Sequence, residues 1–100
     1  MKKSGKKYFF MLFISGTTPQ SQKAISSVRK MLEGHLHGEY ELEVIDVYQN
    51  PDRAKEEQII AVPTLVKRTP APLRKFIGDL SDEKKIIEGM GARMKKAKSK

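Results

Sequence analysis

The chain has 100 residues, a formal charge of +8 and no cysteine. That length suits one domain with one modest core, and the missing cysteine excludes disulfides, thiolate nucleophiles and cysteine metal sites. Nine of the twenty basic residues sit at the ends, from Lys2 to Lys7 and from Arg93 to Lys100, leaving eleven basic against twelve acidic residues between them. This reads as a near-neutral domain over residues 8–91 with basic tails at 1–7 and 92–100, rather than a dedicated nucleic-acid surface. The tails would add only weak, salt-sensitive attraction to polyanions.

The first element is the apolar run Tyr8 to Ser15, too short for a secretory leader and without a small-residue cleavage site. Its length and aromatic content predict a central strand covered on both faces. No apolar stretch approaches the roughly 20 residues that span a bilayer, so a cytoplasmic protein is expected. In "GTTPQS", Thr18 is placed to cap a helix and Pro19 to be its first residue, where a missing N–H is harmless. Ala24, Ile25, Val28, Met31 and Leu32 then form one helical stripe, and Gly34 marks its expected end. "EYELEVIDVY" alternates from Glu39 to Val44 and predicts a strand. Strand, helix, strand in this order implies a right-handed parallel βαβ unit.

Asn50 and Pro51 offer a cap and first residue for a short charged helix reaching about Gln58. Thr64 to Lys67 and Leu73 to Ile77 predict two antiparallel strands joined by the proline-bearing "RTPAP". Ser81 is expected to cap a last helix whose first turn carries Asp82 and Glu83, as the helix dipole favours. The order is βαβαββα.

Residues with chemical potential have ordinary readings first. His35 and His37 in "GHLHG" lack a third ligand at a recognisable spacing and suit a polar helix end. Glu56 with Glu57 and Asp82 with Glu83 are adjacent, so on a helix they diverge and read as solvated faces. "GTTPQS" lacks the lysine and spaced glycines of a phosphate loop. Tyr8, Phe9, Phe10 and Phe13 lie inside one apolar run and read as core rather than as a base-stacking surface. No catalytic residue, metal or cofactor is expected. The exception is "VKRTPAPLRKFIGD", where Lys67, Arg68, Arg74 and Lys75 make a compact basic patch suited to an acidic protein surface. Gly89 and Gly91 are unusual in a terminal helix, since each costs about 1 kcal/mol relative to alanine in a helix interior.

The stretch "AVPTL", Ala61 to Leu65, resembles the approach to the cis-proline strand of thioredoxin-like proteins. With "SGTTPQS", "VIDVYQNPDRA", the long run from Ala61 to Asp82 and Gly89, the chain from Tyr8 to Gly89 is similar to the KaiB family, partners of the KaiC clock ATPase. The resemblance implies a thioredoxin-like ancestry without redox chemistry, with Thr17 to Gln20 where a CxxC would stand. It implies a metamorphic protein. The free form would be a tetramer or dimer of order βαββααβ, and the thioredoxin-like βαβαββα form would bind the ATPase ring after a slow switch.

The switch set implied by the resemblance is Pro63, Pro70, Pro72 and Gly89, with Pro63 cis in the binding form. Lys67 and Arg74 match positions tied to assembly and partner contact, and Lys23 keeps a charge where relatives often have arginine. With Lys75 from the same patch, the partner-binding set is Lys23, Lys67, Arg74 and Lys75. The basic end "RMKKAKSK", Gly91 in place of an aspartate, and Pro70-Ala71-Pro72 in place of three prolines depart from clock members. Binding to a KaiC-type ATPase therefore carries over further than sequestering KaiA; in the family the bound form sequesters KaiA or displaces a sensor kinase, and the output implied is a rhythm, a timer or stress adaptation. The alternative class is a basic stress protein that binds nucleic acid or another polyanion, and a weaker one is a glutathione-binding enzyme using the backbone at Pro63.

Overall fold

Seven consecutive residues of the first apolar run are strand because their side chains have a buried place on both faces of a sheet. In the structure, a computed structural model describing residues 7–90, β1 (Tyr8–Ile14) lies inside a four-stranded sheet of order β2-β1-β3-β4. Phe10, Leu12 and Ile14 point to one core and Met11 and Phe13 to the other, as a two-residue period requires. The chain continues through α1 (Pro19–Leu36), β2 (Tyr40–Asp46), α2 (Pro51–Glu56), β3 (Thr64–Thr69), β4 (Arg74–Ile77) and α3 (Glu83–Met90). This is the thioredoxin-like βαβαββα order. β2 runs parallel to β1, while β3 is antiparallel to β1 and β4 antiparallel to β3. The expected tails lie outside the described residues, Lys7 excepted, and so does Gly91.

The larger core lies between the sheet and α1 with α3, where Val28, Met31, Leu32, Leu36, Ile86, Ile87 and Met90 close over Phe10, Leu12 and Leu65. The smaller core holds Met11, Phe13, Ile45 and Val66 under α2 and the loop after it. No residue of α2 is itself buried. That helix is held from its side by Arg53, whose guanidinium donates to both oxygens of Glu43 on β2 at 2.6 and 2.9 Å. The pairing holds the Glu43 carboxyl below the ordinary carboxylate range, the arginine bond outweighing burial.

Helix ends differ from the sequence expectation in three places. Thr18 caps α1 as expected, accepting the Ser21 N–H at 3.1 Å. The helix runs past Gly34, however, to Leu36, and ends at His37 in the left-handed region (φ 50°), whose N–H reaches the Glu33 carbonyl at 3.0 Å. Burial of Leu36 in the larger core is worth roughly 1.5–3 kcal/mol and exceeds the helix penalty of about 1 kcal/mol for one glycine. Asn50 precedes α2 but makes no capping bond with its side chain; its amide instead donates to the Asp46 carbonyl at 3.2 Å. Asp82, not Ser81, caps α3: its carbonyl accepts the Ile86 N–H and its carboxylate the Lys85 N–H. The Ser81 hydroxyl is taken by Asp79, and that bond, with the Ser81 N–H, holds the exposed Asp79 carboxyl below the usual range.

Candidate partner-binding site

The β3–β4 hairpin positions the basic patch by pleat alone. Lys67 faces Arg74 across the strands and Val66 faces Lys75. Alternation therefore sends Lys67 and Arg74 to the α1/α3 face, and Arg68 and Lys75 to the α2 face. The four cations do not form one surface. Arg68 donates to the Glu57 carboxylate and Lys75 to the Glu57 carbonyl, just beyond α2. Lys67 is only 2% exposed and donates to the Pro70 carbonyl at 2.6 Å. Desolvation pushes its ammonium below the usual lysine range, and the neighbouring Arg74 adds to this. Arg74, exposed on the edge strand, is the member of the patch whose side chain has no hydrogen-bonded or ion-paired partner among the described residues.

The adjacent surface supplies apolar contact. Leu73, just before β4, and Ile77, its last residue, are 48% and 49% exposed. Ile77 borders an open groove of about 460 Å³ that Gln20, Lys23, Ala24, Pro63 and Asp79 also line. Lys23 thus shares a surface with Pro63 and not with Lys67 and Arg74, which sit at the other end of the hairpin, roughly 10 Å away along the strand. The peptide bonds preceding Pro63, Pro70 and Pro72 are all cis. Pro63 leads into β3, and Pro70 and Pro72 lie in the loop that Lys67 holds.

Gly89 joins this half of the molecule from α3. A Cβ built there would stand 2.6 Å from Cε1 of Phe76, so the absent side chain lets the helix backbone rest on a half-buried ring of β4. Two residues missed in the sequence complete the local frame. Glu57, expected as a solvated acid, is a hub whose side chain is 16% exposed and receives Arg68. His35, expected at a polar helix end, is 7% exposed and meets Glu83 at 2.6 Å. Both pairings join residues distant in sequence and lacked any local signal. Among the described residues no group of three His, Cys, Asp or Glu could hold a metal ion, and no helix is long and apolar enough to cross a membrane.

Comparison with known proteins agrees with the fold. The KaiB domain family matches residues 11–91. The chain is 44% identical over 90 residues to the circadian clock oscillator protein KaiB of Nostoc sp., covering 90% of this chain and 83% of the relative. The protein of the same description from Picosynechococcus sp. is 47% identical over 85 residues, covering 85% and 82%. Among solved structures, the N-terminal domain of Synechococcus elongatus SasA superposes with a TM-score of 0.72 at 23% identity, covering 90% of this chain and 89% of that one. Yeast mitochondrial thioredoxin 3 superposes at 0.66 and 21% identity, covering 84% and 76%.

Proposed function

The chain belongs to the KaiB family, and from that premise we propose that it binds a KaiC-type ATPase ring through the β3–β4 half, with Arg74 as the central charged contact. It is a non-enzymatic regulator acting through clock-related protein interactions. The observation that carries the docking proposal is the unpaired, exposed Arg74 on an edge strand, between exposed Leu73 and the groove beside Ile77. An acidic partner surface would complement it, and a lone cation flanked by apolar contact gives both orientation and affinity. Lys23 extends the contact along the groove. Lys75 and Lys67 act from behind it, the first tied to Glu57 and the second holding the loop at Pro70.

The arrangement seen here is the binding form of this proposal. The free chain adopts the βαββααβ order as a homotetramer or dimer, and the second half, with Pro63, Pro70, Pro72 and Gly89, is what rearranges. Two packings of one sequence need differ by only a few kcal/mol for such a switch. Once bound, the chain displaces a sensor kinase from the ring; KaiA is not part of the proposed partner set. The test is size-exclusion chromatography of the chain mixed with a KaiC-type ATPase in its different nucleotide and phosphorylation states. A complex is expected in at least one state, and Arg74→Glu should weaken it at least about tenfold. No complex in any state contradicts the proposal, and binding instead to nucleic acid with steep salt dependence would favour a polyanion-binding protein.

A further inference from the structure

α1 and α3 are joined by one polar bond between residues 48 positions apart. Nε2 of His35, in the last turn of α1, lies 2.6 Å from Oε2 of Glu83, the first residue of α3. The imidazole is 7% exposed, whereas the Glu83 side chain is 57% exposed. The other ring nitrogen, Nδ1, is buried with no hydrogen-bond partner. All of the hydrogen bonding that this buried ring obtains therefore comes from Glu83. The rest of what α3 offers is apolar: Ile86, Ile87 and Met90 in the larger core, and the Gly89 backbone against Phe76.

We propose that the His35–Glu83 pair is a clasp that keeps α3 docked over the β3–β4 hairpin and so sets how much of the chain is competent for its partner. A buried polar group is most sensitive to loss of its partner when that partner is its last one, because the ring keeps its desolvation and loses the only compensation. Opening the clasp leaves α3 held by apolar contact alone and lets it swing out more often, with its Asp82 cap, on the turn at Gly78 (φ 104°), since no other side-chain hydrogen bond or ion pair ties residues 82–90 to the remainder among the described residues. Release uncovers Phe76 and removes the packing against the strand that carries the already exposed Arg74. Lys30 lines the same small cavity as Glu83, beside Ser27 and Met31, and is the cation placed to attract the carboxylate once it leaves His35. The effect on partner binding rests on the function proposed above; the clasp itself does not.

Amide hydrogen exchange in the βαβαββα form, identified by NMR contacts between β3 and β4 and read on the free chain or, where that form is minor, on the ring-bound one, tests the clasp. Glu83→Ala should raise exchange of the α3 amides by about tenfold or more and leave β1 and α1 within about twofold of the parent. Made on top of His35→Asn, the same substitution should add less than about threefold, because the pair is already lost, whereas a mere helix-end charge effect would persist. His35→Glu combined with Glu83→Arg should exchange more slowly in α3 than either single variant. Unchanged α3 exchange in Glu83→Ala, an equal rise in β1 and α1, or no recovery in the swapped pair would each overturn the proposal. Ring binding by the parent chain is read separately, so failure of the clasp and failure of the docking proposal give different results.

Discussion

The first half of the molecule, β1, α1 and β2, is built on the burial of β1 and α1; in the second half β3 is buried from Thr64 to Lys67, whereas β4 and α3 are largely exposed. α1 runs for 18 residues with a side-chain cap and seven buried positions, and β1 is buried from Phe10 to Ile14. In the second half β4 has four residues, none of them fully buried, and α3 has eight with three buried. The connecting loop carries two prolines, and the helix carries a glycine pressed on Phe76. Free energies of local opening follow buried apolar contact, so the first half together with the buried β3 is a platform, and β4 with α3 is a segment that can move on it. The groove and Arg74 both lie where the platform meets that segment. A binding surface drawn from the weakly held half can be made available or withdrawn without unfolding the domain.

The largest expected effect breaks the platform. Leu32 is fully buried in the larger core, and Leu32→Ala should cost about 2–5 kcal/mol, lowering the urea midpoint of the whole chain rather than loosening one helix. If only α3 loosened, the division between halves would be misplaced.

Gly89 sharpens the comparison from the other side. Alanine there gains about 1 kcal/mol of helix propensity, but its Cβ would meet the Phe76 ring at 2.6 Å, and displacing that ring off its rotamer costs about 0.5–1.5 kcal/mol. Gly89→Ala alone should therefore change stability little, while the same substitution in a Phe76→Leu background should stabilise by about 1 kcal/mol. Equal effects in both backgrounds, by denaturant midpoint, would show that the ring does not constrain α3.

Two titrations give smaller effects, one in each half. The folded state depresses the Lys67 ammonium below the ordinary lysine value, so the unfolded chain holds more protons in the alkaline range and stability should rise with pH up to about 10.5. Lys67→Met should flatten that rise. Tyr40 is shifted upward, mainly by burial, and titrates with the opposite slope above its usual value, so Tyr40→Phe is the proper background. In the platform, the depressed Glu43 carboxyl stabilises the fold above its unfolded pKa and loses this contribution as pH falls through the folded one. With both side chains of the Glu43–Arg53 pair about 40% exposed, Glu43→Gln should alter the acid limb by only a few tenths of a kcal/mol.

The platform was legible from local pattern. Thr18-Pro19 announced the start of α1, the stripe through Leu32 gave its buried face, and the unbroken apolar run gave a strand with two covered faces. The basic patch was legible as composition but not as geometry. That Lys67 is buried on Pro70, that Arg68 and Lys75 are held by Glu57, and that Arg74 is left over are all consequences of pleat and of contacts across 3 to 18 positions. The His35–Glu83 bond spans 48 positions and joins two elements whose relative placement no local pattern encodes. The ends of α1 and α3 were misplaced for the same reason: burial of Leu36 overrode Gly34, and Asp79 claimed the Ser81 hydroxyl.

The most direct test of the docking claim is residue-resolved amide exchange of the chain free and bound to a KaiC-type ATPase ring. The account predicts that the gain in protection centres on β4 and the 70–73 loop, extends to α3 and to the groove at Pro63, and spares α2 and the outer edge of β2. Protection concentrated on α2 and β2, with β4 unchanged, would contradict it.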